Sequence, residues 1–315
     1  MDILTIISGL IILYLGGEAL IKGSISVARH LNISRILVTS VIVGFGTSMP
    51  EMTVSVEAML KGAPEIAIGN VIGSNIANIL FILGISAIIS PFCLKDKFIQ
   101  RDVVVMLIST IILCILGSLG MIGIIQGLFM LVILASYITY SYLQDKNNFS
   151  NKDIKNIDSD LGFVKNFNLP LSILMSLIGV GLLIVGSSLF LDGSIEIANK
   201  FNISKEVIGL GIVAIGSCLP ELTTVIVASI RKHGNIVIAS IVGSNIFNIL
   251  SIIGVISVID DVVVPEHILK FDLWIFLTAT IILSYMLLKG LKFSRKIGSV
   301  FLMTYILYFC TLFYY

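Results

Sequence analysis

Two stretches of the sequence set the same polar residues at the same spacing in apolar surroundings. The first is VIVGFGTSMPE (41–51) with IGNVIGSNIANILFILG (68–84); the second is GIVAIGSCLPE (211–221) with IASIVGSNIFNILSIIG (238–254). Each brings one glutamate, Glu51 or Glu221, into a segment apolar enough to cross a bilayer. A carboxylate at membrane depth costs about 3 kcal/mol on insertion scales, so a matched pair of them marks a functional site. Neither segment, 36–60 or 207–230, contains a Lys or Arg that would pair with its glutamate. Two anions sharing a dry site want a cation.

The neighbours of the glutamates are the right types for one. Thr47 and Glu51 stand four residues apart and share a helix face, while Pro50 withholds a backbone donor and disturbs the preceding turn. Gly44 and Gly46 let the backbone between 44 and 47 open and offer carbonyl oxygens, which membrane depth tolerates only where they line a cavity or are buried in protein. Ser74 and Asn78 are again four apart. The second copy repeats the pattern with Ala214, Ser217, Pro220, Glu221, Ser244 and Asn248. Carboxylate, hydroxyl, amide and carbonyl oxygens together suit hard cations such as calcium and sodium, and not zinc or copper. The small residues and prolines, taken alone, read equally well as kinks and close helix contacts.

The elements that position these groups are membrane helices. The chain is 57% hydrophobic and 12% charged over 315 residues, with mean hydropathy +1.08, values of a polytopic membrane protein. Its net charge of +1 gives nucleic acid no reason to bind. The four cysteines lack metal-ligand spacing and read as free thiols, and Asp2 stands where a cleavable signal would be basic, so the first segment is expected to stay. Apolar runs of spanning length fall near 3–21, 36–60, 66–91, 103–119, 121–143, 170–191, 207–230, 235–259, 271–288 and 297–315, predicting ten helices. The uncharged stretch 103–143 is two of these, joined by a turn around Gly117 to Gly123. The expected organisation is a first five-helix unit over 1–143, a solvated linker over 144–169 and a second five-helix unit over 170–315. Of the 20 Lys and Arg residues, sixteen fall in one set of alternate loops and four (Lys61, Lys200, Lys205, Lys270) in the other. This bias puts both termini outside the cell membrane and the linker inside.

The two units are copies. At an offset of 170, 18 of the 43 residues from 42 to 84 are identical to their counterparts, where composition alone gives roughly 3 or 4, so the likeness is a duplication. Gly16 meets Gly186, Gly23-Ser24 meets Gly193-Ser194, and Asn32-Ile33-Ser34 meets Asn202-Ile203-Ser204. With five helices each, the second copy enters the membrane from the opposite side. The predicted fold is an all-α membrane protein of two inverted five-helix repeats with broken helices at the midplane, a recurrent architecture of secondary transporters.

The signatures G-[TS]-S-x-P-E, complete in the first half, and G-S-N-x-x-[ND]-I, complete in both, resemble those of the cation/calcium exchanger superfamily, and the whole chain looks like the prokaryotic sodium/calcium exchangers. The resemblance implies an antiporter exchanging sodium for calcium by alternating access, electrogenic at three to one, with the first and sixth helices sliding past the other eight. It implies calcium held by Glu51, Glu221 and the backbone oxygens of Thr47 and Ser217. Sodium would be held by the same glutamates with the carbonyls of Gly44 and Ala214, the hydroxyls of Thr47 and Ser217, and Ser74 and Ser244. The chain departs from the pattern at Cys218, where a soft donor replaces an oxygen and a packing role is expected, and at Asn248, where relatives often have aspartate. Two carboxylates and two amides, Asn78 and Asn248, neutralise one calcium but leave three sodium ions one charge in excess.

The residues leave a proton/calcium antiporter as an alternative, because the glutamates could carry protons, and a cation channel behind it. The hydroxyls at Thr47, Ser74, Ser217 and Ser244 suit sodium and would be dispensable for a proton. No nucleophile with a base partner and no nucleotide motif appears, so neither an enzyme nor a cofactor is expected; the partners are calcium, sodium and the lipid bilayer, and no protein partner is implied. Glu18, Glu57 and Glu196 each precede a lysine by four residues and read as interfacial ion pairs. His30, His233 and His267 are expected in loops, and Asp260, Asp261, Glu266 and Asp272 as solvated charge on the outer face.

Overall fold

The computed structural model describes residues 2–31, 35–60, 62, 64–94, 96–148, 167–200 and 218–311. Almost all of them are helical because nearly every segment is a long apolar run, and in hydrocarbon a helix satisfies its own backbone. In chain order the helices are α1 (Asp2–Leu31), α2 (Ile36–Thr47), α3 (Met49–Leu60), α4 (Pro64–Ile89), α5 (Lys97–Gly117), α6 (Ile124–Asn148) and α7 (Leu169–Lys200). After residues 201–217 follow α8 (Leu219–Ile230), α9 (Gly234–Ile259), α10 (Ile268–Lys289) and α11 (Arg295–Thr311). Among the described residues, seven helices are long and apolar enough to cross a membrane, or eight when α2 and α3, bent by 43°, are taken as one span. The chain is a multi-pass helical membrane protein. The turn expected around Gly117 to Gly123 lies where α5 gives way to α6.

Several boundaries differ from the expectation. Helix α1 runs ten residues past 21, and α7 runs on to Lys200. The polar residues that suggested an end are packed instead: Glu18 pairs with Lys22 at 3.0 Å and with Arg231, and Ser26 Oγ meets Ser172 Oγ at 2.7 Å across the α1–α7 seam. Helix α6 continues through Asn148, into the segment read as linker, and 149–166 lie outside the described residues. The pairs Glu57–Lys61 and Glu196–Lys200 cannot be followed, since the lysine side chains lie outside them too. His30 closes the last turn of α1, its Nε2 2.5 Å from the Phe167 carbonyl oxygen, and His267 also stands at a helix end, leaving only His233 in a loop.

Asp272 requires the clearest correction. It is buried, not solvated, and accepts a hydrogen bond from the Tyr308 hydroxyl at 3.0 Å, whereas Asp260, Asp261 and Glu266 are exposed. Its burial follows from its place in the first turn of α10, facing α11 and not the loop. Two small antiparallel sheets, too short to be legible in sequence, tie loops together: β1 (Phe92–Cys93) with β4 (Lys292–Phe293), and β2 (Met121–Ile122) with β3 (Val262–Val263). Phe92 and Phe293 stack across the first pair at 5.1 Å. All four cysteines are free thiols.

The bundle is centred on α9 and α4. The most apolar window of α9 is 100% buried and that of α4 72%, against 28% for α6 and α7, so the two copies of the G-S-N motif occupy the interior and α6 and α7 the rim. Helices α1 and α7 pack against each other along their length through glycine. A Cβ at Gly179 would lie 2.5 Å from the Leu20 nitrogen and one at Gly16 2.9 Å from the Leu183 nitrogen, both backbone atoms that cannot swing aside. Gly179→Ala therefore forces the pair apart, at about 1–3 kcal/mol. Thermal unfolding of the detergent-purified variant is expected at least about 2 °C below wild type.

Candidate functional site

The glutamates sit in the first turns of α3 and α8, each just past a residue with the same backbone conformation. At Ser48, between α2 and α3, the backbone leaves the helical region (φ −81°, ψ 4°), and Cys218, which caps the start of α8, has the same backbone (φ −83°, ψ 2°). Each of these residues is followed two residues on by a proline and three on by the glutamate. Pro50 has no N–H to give the Gly46 carbonyl, which is the local cause of the bend. Upstream, α2 is loosened by a π-helical turn at Thr39–Val43, whose closing Gly44 N–H reaches the carbonyls of Thr39 and Val41.

The amides stand in π turns as well. Asn78 lies in the turn Ala77–Ile82 of α4 and Asn248 opens the turn Asn248–Ile252 of α9, local widenings that are frequent at functional sites. The small residues bring the backbones of α2 and α9 together: a Cβ at Gly44 would be 2.9 Å from the Ser244 nitrogen, and one at Gly243 only 2.2 Å from the Ser40 carbonyl oxygen.

The expected residues are brought together across the two halves. Thr47 Oγ1 lies 3.2 Å from Ser244 Oγ and also donates to the Val43 carbonyl at 3.0 Å, while Ser244 Oγ reaches the Gly44 carbonyl at 3.4 Å. Asn248 Nδ2 donates to Ser74 Oγ at 3.2 Å. Glu51 and Glu221 are 0% and 2% exposed and close enough to repel each other. Ala214 and Ser217 lie outside the described residues, so their half of the expected ligand set is not seen.

Three residues escaped the sequence reading. Ser48 donates to Glu221 Oε1 at 3.2 Å, and Asn245 Oδ1 accepts from Asn78 Nδ2 at 3.0 Å. Both belong to the quoted motifs, which was the available signal. Cys218, expected merely to pack, is buried with its side chain beside Glu51, the 170-offset image of Ser48 beside Glu221.

The electrostatics point one way. Glu51 Oε1 and Oε2, Glu221 Oε2, Asn78 Oδ1 and Asn248 Oδ1 are all buried, and none accepts a hydrogen bond from an N–H or O–H among the described residues. A buried acceptor without a donor costs about 1–3 kcal/mol, more when charged. Five such oxygens among the residues first singled out form a set that a hard cation satisfies and a proton satisfies only in part. Among the described residues no three His, Cys, Asp or Glu side chains are placed so that they could hold a metal ion together, so the set rests on two carboxylates and neutral oxygens.

Comparison with known proteins agrees. The family described as sodium/calcium exchanger protein matches residues 1–143 and 171–314. An uncharacterised membrane protein of Methanocaldococcus jannaschii is 33% identical over 299 residues, covering 95% of this chain and 94% of that protein. The sodium/calcium exchanger MaX1 of Methanosarcina acetivorans is 28% identical over 355 residues, covering 99% of each. Among solved structures, the sodium-calcium exchanger NCX_Mj soaked with 2.5 mM Na+ and 0.1 mM Ca2+ aligns with a TM-score of 0.84 at 32% identity, covering 99% of this chain and 98% of that one.

Proposed function

The chain belongs to the sodium/calcium exchanger protein family, and from that membership we propose how its residues perform the exchange. It is an antiporter, not an enzyme, and sodium and calcium are its substrates. One centre, formed by Glu51 and Glu221, takes either calcium or sodium. The observation that carries this reading is the set of buried acceptor oxygens on Glu51, Glu221, Asn78 and Asn248 that no N–H or O–H donor among the described residues meets.

In this reading calcium lies between the two carboxylates with the carbonyls of Thr47 and Ser217. Sodium takes the same carboxylates together with the Gly44 and Ala214 carbonyls and the hydroxyls of Thr47, Ser217, Ser74 and Ser244. The Thr47–Ser244 and Asn248–Ser74 contacts support it, since they gather groups from both halves at one place.

Ten helices in two inverted halves, 1–143 and 170–315, with the linker 144–169 inside and both termini outside, complete the proposal. The matching backbone angles at Ser48 and Cys218 support the repeat, as do the π turns in α4 and α9. So does the strand pairing: the offset of 170 carries β1 onto β3 and brings β2 within one residue of β4, so each sheet is the image of the other. Alternating access would slide α1 and α7 past the rest; α7 already rests on the break, where a Cβ at Gly46 would be 2.6 Å from Val180 Cγ2.

Charge decides where voltage acts. Two carboxylates give a neutral centre with calcium and a centre of charge +1 with three sodium ions, so the sodium limb senses the membrane potential and the calcium limb does not. Asn248→Asp reverses this, leaving −1 with calcium and zero with sodium. Calcium/calcium exchange in vesicles clamped with potassium and valinomycin is expected to become voltage-dependent in the variant, with a ceiling of about fiftyfold per 100 mV. Unchanged voltage dependence would contradict the charge assignment.

Labelled calcium uptake into proteoliposomes loaded with sodium and diluted into sodium-free buffer tests the function, beside vesicles with matched potassium or proton gradients. Uptake driven only by sodium is expected. Uptake driven by the proton gradient would replace this reading with proton/calcium exchange, and uptake without an opposing gradient would make the protein a channel.

A further inference from the structure

Asp102 is a buried carboxylate that the ion centre does not use. It is 1% exposed near the start of α5, where Arg101 Nε donates to Oδ1 at 2.8 Å and Arg101 Nη2 lies 2.7 Å from the same oxygen. Arg101 Nη1 reaches α6 as well, donating to the Ser141 carbonyl at 3.4 Å and to Gln144 Oε1 at 3.2 Å. The ion pair is thus fixed to two helices. Taking it out of water is costly, so its presence directs attention to what its remaining oxygen holds.

That oxygen, Oδ2, accepts a hydrogen bond from Ser40 Oγ at 3.1 Å. Ser40 lies in the π turn of α2, four residues before Gly44, and its backbone is pressed against Gly243 of α9. Gly44 in turn is packed on Gly243 and Ser244, and Ser244 is the residue that meets Thr47 and the Gly44 carbonyl. A π turn lacks the regular i→i−4 ladder and has little stiffness of its own. Whatever fixes Ser40 therefore fixes where the Gly44 carbonyl and the Thr47 hydroxyl stand relative to Ser244.

We infer that Asp102, through Ser40, is a positioning residue that holds the Gly44 carbonyl and the Thr47 hydroxyl at sodium-binding distance. The inference rests on the proposed sodium ligands. It also makes the two halves unequal: at the offset of 170, Asp102 is matched by Asp272, but Ser40 is matched by Leu210, which has no hydroxyl to tether. Asp272 is engaged by Tyr308 instead. The sodium position built on Gly44 is held by this device, whereas the half that carries Ala214 has Leu210 where the tether would need a hydroxyl.

The test is the split between sodium and calcium constants. Ser40→Ala and Asp102→Asn, reconstituted in proteoliposomes, are each expected to raise the sodium concentration for half-maximal exchange about fivefold or more, with the calcium KM within about twofold of wild type. A role in folding alone would lower the amount of inserted protein and the rate while leaving both constants in place. An unchanged sodium constant in Ser40→Ala, or sodium and calcium constants that move together, overturns the inference. If Asp102→Asn does not insert, Ser40→Ala decides, because it removes a single hydroxyl. The sodium midpoint for protection against thermal unfolding in detergent is read in parallel. It needs no transport, so it reports on the tether even if wild type shows no sodium-driven calcium uptake, the result that would defeat the exchange reading itself.

Discussion

Glu51→Gln and Glu221→Gln are each expected to abolish sodium-driven calcium uptake while the protein still inserts and folds. Glutamine keeps the size of the side chain and one carbonyl oxygen but removes one of the two formal charges facing a dication. Removing one partner from a buried charge arrangement costs about 3–5 kcal/mol, a loss of at least a hundredfold in affinity. The two carboxylates repel each other across a dry site, and Glu51 has both oxygens buried without an N–H or O–H donor among the described residues. Neutralising either one relieves that strain in ion-free buffer. Each variant should therefore unfold no earlier than wild type without ions, and lose the rise in unfolding temperature that calcium gives wild type by binding the folded state. Calcium uptake in proteoliposomes and thermal unfolding with and without calcium check both halves of the prediction. Full transport by both variants would remove the site.

Gly243→Ala is expected to be nearly as damaging without touching a ligand. The new methyl would stand 2.2 Å from the Ser40 carbonyl oxygen and 2.7 Å from the Ser40 Cα, contacts that only a movement of α2 away from α9 relieves. A separation of about 1 Å exceeds the tolerance of ion coordination, where calcium takes oxygens at about 2.3–2.6 Å. It would also draw Ser244 away from Thr47, now 3.2 Å distant, and from the Gly44 carbonyl at 3.4 Å. Transport is expected to fall at least about tenfold, with an overpacking cost of roughly 1–3 kcal/mol in stability. Initial rates normalised to inserted protein measure it; a wild-type rate would mean that the approach of these two helices does not set the ligand geometry.

Much of the fold could be read from the residues because a bilayer leaves the backbone few choices. The apolar runs foretold most helices, and Pro50 beside Gly44 and Gly46 marked the bend between α2 and α3. The ends of α1 and α7 were misjudged because polar residues such as Glu18 and Ser26 look like a membrane boundary in sequence, while in the fold they bind across to Arg231 and Ser172. Asp272 misled for a related reason: a carboxylate near three other acidic residues reads as loop charge until Tyr308, 36 residues away, is known to reach it. Asp102 was hidden by its neighbour, since Arg101-Asp102 in sequence resembles an ordinary helix start at the membrane surface. The strands β1 to β4 are two residues each and have no periodicity to detect.

The site was more legible than the devices around it. Thr47, Gly44 and Ser244 meet, Ser74 meets Asn248, and Glu51 faces Glu221; these residues could be picked out because polar residues at membrane depth stand out against an apolar background. Their support could not be read the same way: Ser40, Asn245 and Ser48 are small polar residues of kinds that membrane helices commonly hide, and only the contacts across helices assign them roles.

The central claim is that calcium and sodium occupy one centre between Glu51 and Glu221, and equilibrium binding of labelled calcium to the purified protein over a sodium titration tests it most directly. One calcium per chain, displaced completely by sodium with a Hill coefficient above one and absent from Glu51→Gln, is the predicted result; calcium that stays bound at saturating sodium would contradict it.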